Sequence, residues 1–207
     1  QPMPDGILEL VGGIIRVKVD PVAAKQSIPA IAALLGVKPG SAAAATGLEG
    51  KSIWDAAGVG DLELLQANLT LGVDINAMVP AGLPGAGGTP LHIAAISNQV
   101  EVVKFLISKG ADVNIKAGNK DGATPLAWAV VFGKFDAVKE LIETGKADIN
   151  ALDNNKTTAL DALAVDLSFG TDPTISADKP KIKTYLMAKG AKPGAGVGSD
   201  PGSSTPS

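Results

Sequence analysis

A recurrence constrains this chain more than any other feature. The run Thr89-Pro90-Leu91-His92-Ile93-Ala94-Ala95 is followed by Val100-Glu101-Val102-Val103-Lys104-Phe105-Leu106, then by Lys109-Gly110-Ala111-Asp112-Val113-Asn114. The same order returns as Thr124-Pro125-Leu126-Ala127-Trp128-Ala129-Val130, then Asp136-Ala137-Val138-Lys139-Glu140-Leu141-Ile142, then Gly145-Lys146-Ala147-Asp148-Ile149-Asn150. An upstream copy reads Ser52-Ile53-Trp54-Asp55-Ala56-Ala57, Gly60-Asp61-Leu62-Glu63-Leu64-Leu65 and Gly72-Val73-Asp74-Ile75-Asn76. A fourth opens at Thr158-Ala159-Leu160-Asp161-Ala162-Leu163-Ala164 and finishes at Lys189-Gly190-Ala191. Leu91 and Leu126 are 35 residues apart, Leu126 and Leu160 are 34 apart, and Ile53 and Leu91 are 38 apart. A unit of this length cannot bury its own apolar face, so it must stack on copies of itself.

Each copy predicts two short helices and an extended exit. Thr89 suits a helix N-cap and Pro90 the first helical position. Leu91, Ile93, Ala94 and Ala95 give the first helix an apolar, small-residue face. Val102, Val103, Phe105, Leu106 and Ile107 line the second, which Gly110 can close in the left-handed conformation. Low aromatic content (3%) and abundant alanine and glycine suit short helices packed closely together.

This order of blocks resembles the ankyrin repeat, over residues 51–192. The resemblance implies an all-α solenoid of four helix-turn-helix units with β-turn fingers. Insertions are expected at 78–88, between the first two copies, and at 166–180, between the helices of the fourth. Residues 1–50 read as a separate N-terminal part. Leu8 to Val11 and Ile14 to Val19 form two strands around Gly12-Gly13, a hairpin that must dock to persist. It is expected to cap the stack or to serve as a docking element. Residues 27–35 read as a short helix, 37–50 as a linker and 193–207 as a flexible tail.

Composition narrows the chemistry. Net charge is −3, no basic stripe stands out, and nucleic acid is not an expected partner. There is no cysteine, which excludes thiolate chemistry and disulfides. No apolar run reaches the ~18 residues of a membrane span. The chain opens on Gln1, as a processed exported (periplasmic or secreted) or plastid-imported protein would, with a cytoplasmic placement as the alternative.

Candidate chemical motifs have plainer readings. Residues 45–52 resemble a relaxed phosphate-binding loop, but lack the preceding buried strand that makes backbone amides converge. Asp112, Asn114, Asn119 and Asp121 do not follow calcium-loop spacing. Asn68-Leu69-Thr70 and Asn155-Lys156-Thr157 match the glycosylation acceptor pattern. His92 is the only histidine, too few for a metal site or a triad. The ankyrin resemblance gives it a bracing role between neighbouring repeats, through the threonine of its own motif. The other copies carry Trp54, Ala127 and Asp161 there, so the brace is expected in one copy. No nucleophile with an adjacent base appears, and neither an enzyme nor a cofactor is expected.

The function these features imply is binding of another protein, without chemistry. Val59, Ile96, Val131 and Phe132 align at the ends of successive first helices and would form an apolar ladder on the concave side. Met78 and Leu83 supply apolar finger tips; Lys116, Asn119, Lys120, Asp153 and Asn154 supply polar ones. The alternative is a permanent subunit of a multi-subunit complex, docked by the hairpin, the 166–180 loop and the tail.

Overall fold

The computed structural model of this chain describes residues 8–11, 14–17, 52–165 and 177–195. The expected helix at 27–35, the linker, residues 45–51 of the phosphate-loop pattern, most of the 166–180 insertion and the tail beyond 195 lie outside the described residues. Strands β1 (Leu8–Val11) and β2 (Ile14–Val17) pair antiparallel, with Leu8 opposite Val17 and Val11 opposite Ile14. A hairpin at this position was expected from the alternation and the two glycines.

Three helix pairs follow: α1 (Ile53–Val59) with α2 (Leu62–Thr70), α3 (Pro90–Ile96) with α4 (Val100–Ser108), and α5 (Pro125–Val131) with α6 (Phe135–Glu143). A 3-10 turn (Asp161–Ala164) and α7 (Lys179–Ala188) complete the fourth unit. First helices stack in one row, α1 on α3, α3 on α5 and α5 on the 3-10 turn; α4 packs on α6 and α6 on α7. This is the solenoid the period demands.

The caps behave as their residue types require. Ser52 Oγ accepts from the Asp55 amide at 3.0 Å and the Ser52 amide donates to Asp55 Oδ2 at 2.9 Å, closing a capping box on α1. The serine of the phosphate-loop pattern is therefore a helix cap. Thr124 Oγ1 accepts from the Ala127 amide on α5. Gly110 adopts φ 90° after α4, the left-handed stop its sequence position predicts. The equivalent place after α6 falls on Lys146, at φ 56°, one residue past Gly145.

A single core runs the length of the stack. Ile53, Leu65, Leu91, Leu106, Leu126 and Leu141 are fully buried, and Ile182 and Leu186 carry it into the last helix. Two expectations need correction. Phe105 is half-buried rather than central, with Lys109 Nζ 5.4 Å from its ring centroid. The first helix of the fourth copy is only a four-residue 3-10 turn. Its Asp161 carboxylate accepts from three donors, described below.

Candidate interaction surface

Neighbouring repeats are joined by three series of hydrogen bonds, and these determine which side chains remain for a partner. The first series uses the asparagine that ends each repeat. The Asp112 amide donates to Asn76 Oδ1 at 3.0 Å, the Asp148 amide to Asn114 Oδ1 at 2.8 Å, and the Lys192 amide to Asn150 Oδ1 at 2.7 Å. Within each repeat the aspartate two residues earlier accepts from the asparagine amide, at 2.9 Å in all three copies. Asp112 and Asn114 are thus splices between repeats.

The second series lies at the start of the first helices. Thr89 donates its amide to His92 Nδ1 at 3.1 Å, and its hydroxyl lies 2.9 Å from the same nitrogen. With Nδ1 accepting, the ring proton sits on Nε2, which donates to Ala123 O at 3.0 Å. Burial pushes the imidazole down to about 4, against a partial opposing effect of the Ala123 bond. The brace was expected in this copy alone, and that is corrected. Trp54 Nε1 donates to Ala77 O at 2.8 Å. Asp161 Oδ2 accepts from the Thr158 amide at 2.8 Å, the Thr158 hydroxyl at 2.9 Å and the Gly194 amide at 2.7 Å. Asp161 thus braces its own threonine and the segment beyond it as His92 does. Asp55 holds the equivalent place against Ser52, and the indole of Trp54 makes a shorter tie. The sequence hid the second brace because a carboxylate replaces the imidazole.

The third series ties the finger tips. Val79 donates to Gly88 O and Gly87 to Val79 O, both at 2.8 Å, so the insertion closes on itself at its base. The Gly118 amide reaches Gly87 O at 2.8 Å, and the Asn154 amide reaches Asp121 O at 2.9 Å. Residues 78–88, 116–122 and 153–157 therefore form one row.

The insertion also lies over the first-helix face. A Cβ placed on Gly85 would stand 2.7 Å from Ile93 Cδ1, and one on Gly88 would stand 2.9 Å from the Trp128 ring. Trp128 in turn sits edge-on to His92, with centroids 4.8 Å apart. Close backbone approach is why glycine stands at both places. Ile93 and Trp128 were not among the expected surface residues; the glycines of the insertion were the signal that something packs closely there.

The expected binding residues separate into groups. Val59 (73% exposed), Leu83 (53%) and Met78 (40%) present apolar surface. Met78 lies against the next finger, its sulfur 2.6 Å from where a Gly118 Cβ would be. Ile96, Val131 and Phe132 are half-buried at the ends of α3 and α5. Lys116 and Lys120 are exposed. Asn119, Asp153 and Asn154 work inside the fingers: Asn119 Oδ1 accepts from Gly122, Asp153 accepts from Thr157 Oγ1 at 2.6 Å, and Asn154 Nδ2 donates to Lys120 O at 3.2 Å. Of the two glycosylation patterns, Asn68 is fully buried and donates to Leu64 O, whereas Asn155 is exposed.

The family model described as ankyrin repeats, in three copies, matches residues 53–153 and 113–194. The chain belongs to the ankyrin repeat family. It is 35% identical over 103 residues to alpha-latrocrustotoxin-Lt1a of Latrodectus tredecimguttatus, covering 50% of this chain and 6% of the toxin. It is 40% identical over 82 residues to protein phosphatase 1 regulatory subunit 12A of Mus musculus, covering 40% of this chain and 8% of that subunit. It is 31% identical over 138 residues to transient receptor potential cation channel subfamily A member 1 of Homo sapiens, covering 67% of this chain and 11% of the channel. The chain thus spans only a small part of each of these ankyrin-containing relatives. Ankyrin repeats generally mediate protein–protein interaction, and among the described residues no helix is long and apolar enough to cross a membrane.

Proposed function

We propose that this ankyrin stack is a non-catalytic binding module that takes a protein partner along its row of fingers and the adjoining ends of its first helices. The observation that carries this reading is the row itself. The insertion is tied to the next finger through Gly87 and Gly118, and it holds Met78 and Leu83 at 40% and 53% exposure. Exposed apolar side chains on a rigid support, rimmed by Lys116 and Lys120, match the arrangement of interaction sites. The half-buried Ile96, Val131 and Phe132 would supply the inner part of the contact.

The non-catalytic part of the reading is supported by what the polar residues do. The single histidine is buried in a seam between repeats, and Asp161 and Ser52 are occupied as brace and cap. The relative named as a regulatory subunit of protein phosphatase 1 accords with a role in an assembly.

The test compares the parent chain with Leu83→Ser and Phe132→Ser. Partners co-purifying from the native source are quantified by mass spectrometry, and melting temperatures are measured alongside. Leu83→Ser should move stability by less than about 0.5 kcal/mol, as solvent-side changes do. Either variant should weaken the specific partner by more than about 1 kcal/mol if its side chain contributes to the contact. Unchanged affinity in both, with the fold intact, refutes the placement.

A further inference from the structure

The two ends of the described stack carry opposite charge. Residues 52–77 hold four carboxylates, Asp55, Asp61, Glu63 and Asp74, and no lysine or arginine. Residues 177–195 hold five lysines, at 179, 181, 183, 189 and 192, against one carboxylate, Asp178. Between them, residues 78–165 are nearly balanced, with eight lysines and nine carboxylates. The segregation is therefore a property of the two outer units.

Among the described residues, part of each cluster stands outside any ion pair. Among the described residues the ion pairs are Lys104–Glu101, Lys139–Glu143 and Lys189–Glu143, and none involves Asp61, Glu63 or Asp74. At the other end, Lys181 lies over the Phe135 ring and Lys179 donates to Val165 O, while Lys183 is exposed and makes no ion pair among the described residues. Helix α7 turns Ile182 and Leu186 toward the core and leaves Lys183, Thr184 and Met187 exposed.

Each end also exposes large apolar residues, Val59 and Leu62 in the first repeat and Met187 on the last helix. The first repeat thus joins exposed apolar residues to carboxylates, and the last helix joins Met187 to an excess of lysine.

We propose that the basic last unit of one copy docks on the acidic first repeat of a second copy, head to tail. A second copy is the favoured occupant because the same chain carries both surfaces, opposite in sign and each with apolar residues. Charge complementarity of this kind sets register and orientation, and the contact is heterologous, joining two different faces. The apolar residues supply area, while Lys183 on one side and Glu63 on the other supply direction.

The test is sedimentation equilibrium of the full 207-residue chain across a concentration series, in about 20 mM and about 500 mM salt. The Debye length falls severalfold between those conditions, so an association steered by exposed charge weakens. The average mass is expected to rise with concentration at low salt and to return toward the monomer at high salt. Lys183→Glu and Glu63→Lys are exposed substitutions, checked for folding by circular dichroism. Each alone should weaken association by about fivefold to tenfold. Mixing the two should restore it, because the altered last unit of one variant then opposes the altered first repeat of the other. A monomer at every concentration and salt overturns the proposal. So does a Lys183→Glu variant that associates as well as the parent, or a mixture that does not recover.

Discussion

Acid should loosen this protein through one residue, well above the pH at which carboxylates titrate. Burial holds His92 at about 4 in the folded chain, against an ordinary value of 6.5. The unfolded chain therefore takes up a proton between those values while the folded chain does not. The sign follows: the folded pKa is depressed, the unfolded state binds more protons in this window, and stability falls as pH falls from about 6.5 toward 4. One pKa unit corresponds to about 1.4 kcal/mol, so the full loss is on the order of 3 kcal/mol and about 2 kcal/mol is lost by pH 5. The structural cause is specific. A proton added to Nδ1 would oppose the Thr89 amide that now donates to it at 3.1 Å. The assay is urea denaturation at pH 7, 6 and 5, with the imidazole followed by NMR; one histidine in the chain makes that signal unambiguous. A denaturation midpoint that stays flat from pH 7 to 5, or a measured His92 pKa near 6.5, would refute the buried brace.

Other substitutions test the packing and the splices. Leu106→Ala, at a fully buried position, should cost about 3–5 kcal/mol in urea denaturation, whereas half-buried Phe105→Ala should cost less than that. Asn114→Ala removes the acceptor for the Asp148 amide and should cost about 1 kcal/mol, with faster hydrogen exchange at Asp148. Asn68 Oδ1 is buried without a partner, so Asn68→Leu should be neutral or raise the melting temperature, despite loss of the bond to Leu64 O. Lys146→Gly relieves a left-handed lysine, and the melting temperature should rise by an amount equivalent to roughly 0.5–1 kcal/mol.

Much of the architecture was legible because each signal was local. The threonine-proline pairs at 89–90 and 124–125 begin α3 and α5, Gly110 ends α4, and the 35-residue spacing of Leu91 and Leu126 places equivalent leucines in one core. What the sequence concealed was substitution of one chemistry for another. Asp161 bridges its threonine to the following segment as His92 does, but by a carboxylate acceptor. Phe105 looked like core from its size and spacing, yet its outer edge faces Lys109. The binding surface was legible only in part. Polarity marked Asn119, Asp153 and Asn154 as available, whereas their geometry spends them on turns and neighbouring fingers. Polar type alone cannot distinguish those uses.

The asparagine splices have a consequence for engineering. Their partners stand 36, 34 and 42 residues apart in sequence, yet the bonds differ by only 0.3 Å, from 2.7 to 3.0 Å. Stack geometry is therefore decoupled from the length of chain between anchors. The insertion shows where that freedom is safest, since Val79 and Gly87–Gly88 clamp its base while Gly82 and Leu83 lie exposed beyond the clamp. A peptide epitope or a small folded domain with adjacent termini, grafted between those two residues, would leave the splices undisturbed. Loop-closure entropy grows only logarithmically with length, so even a long graft would add little cost.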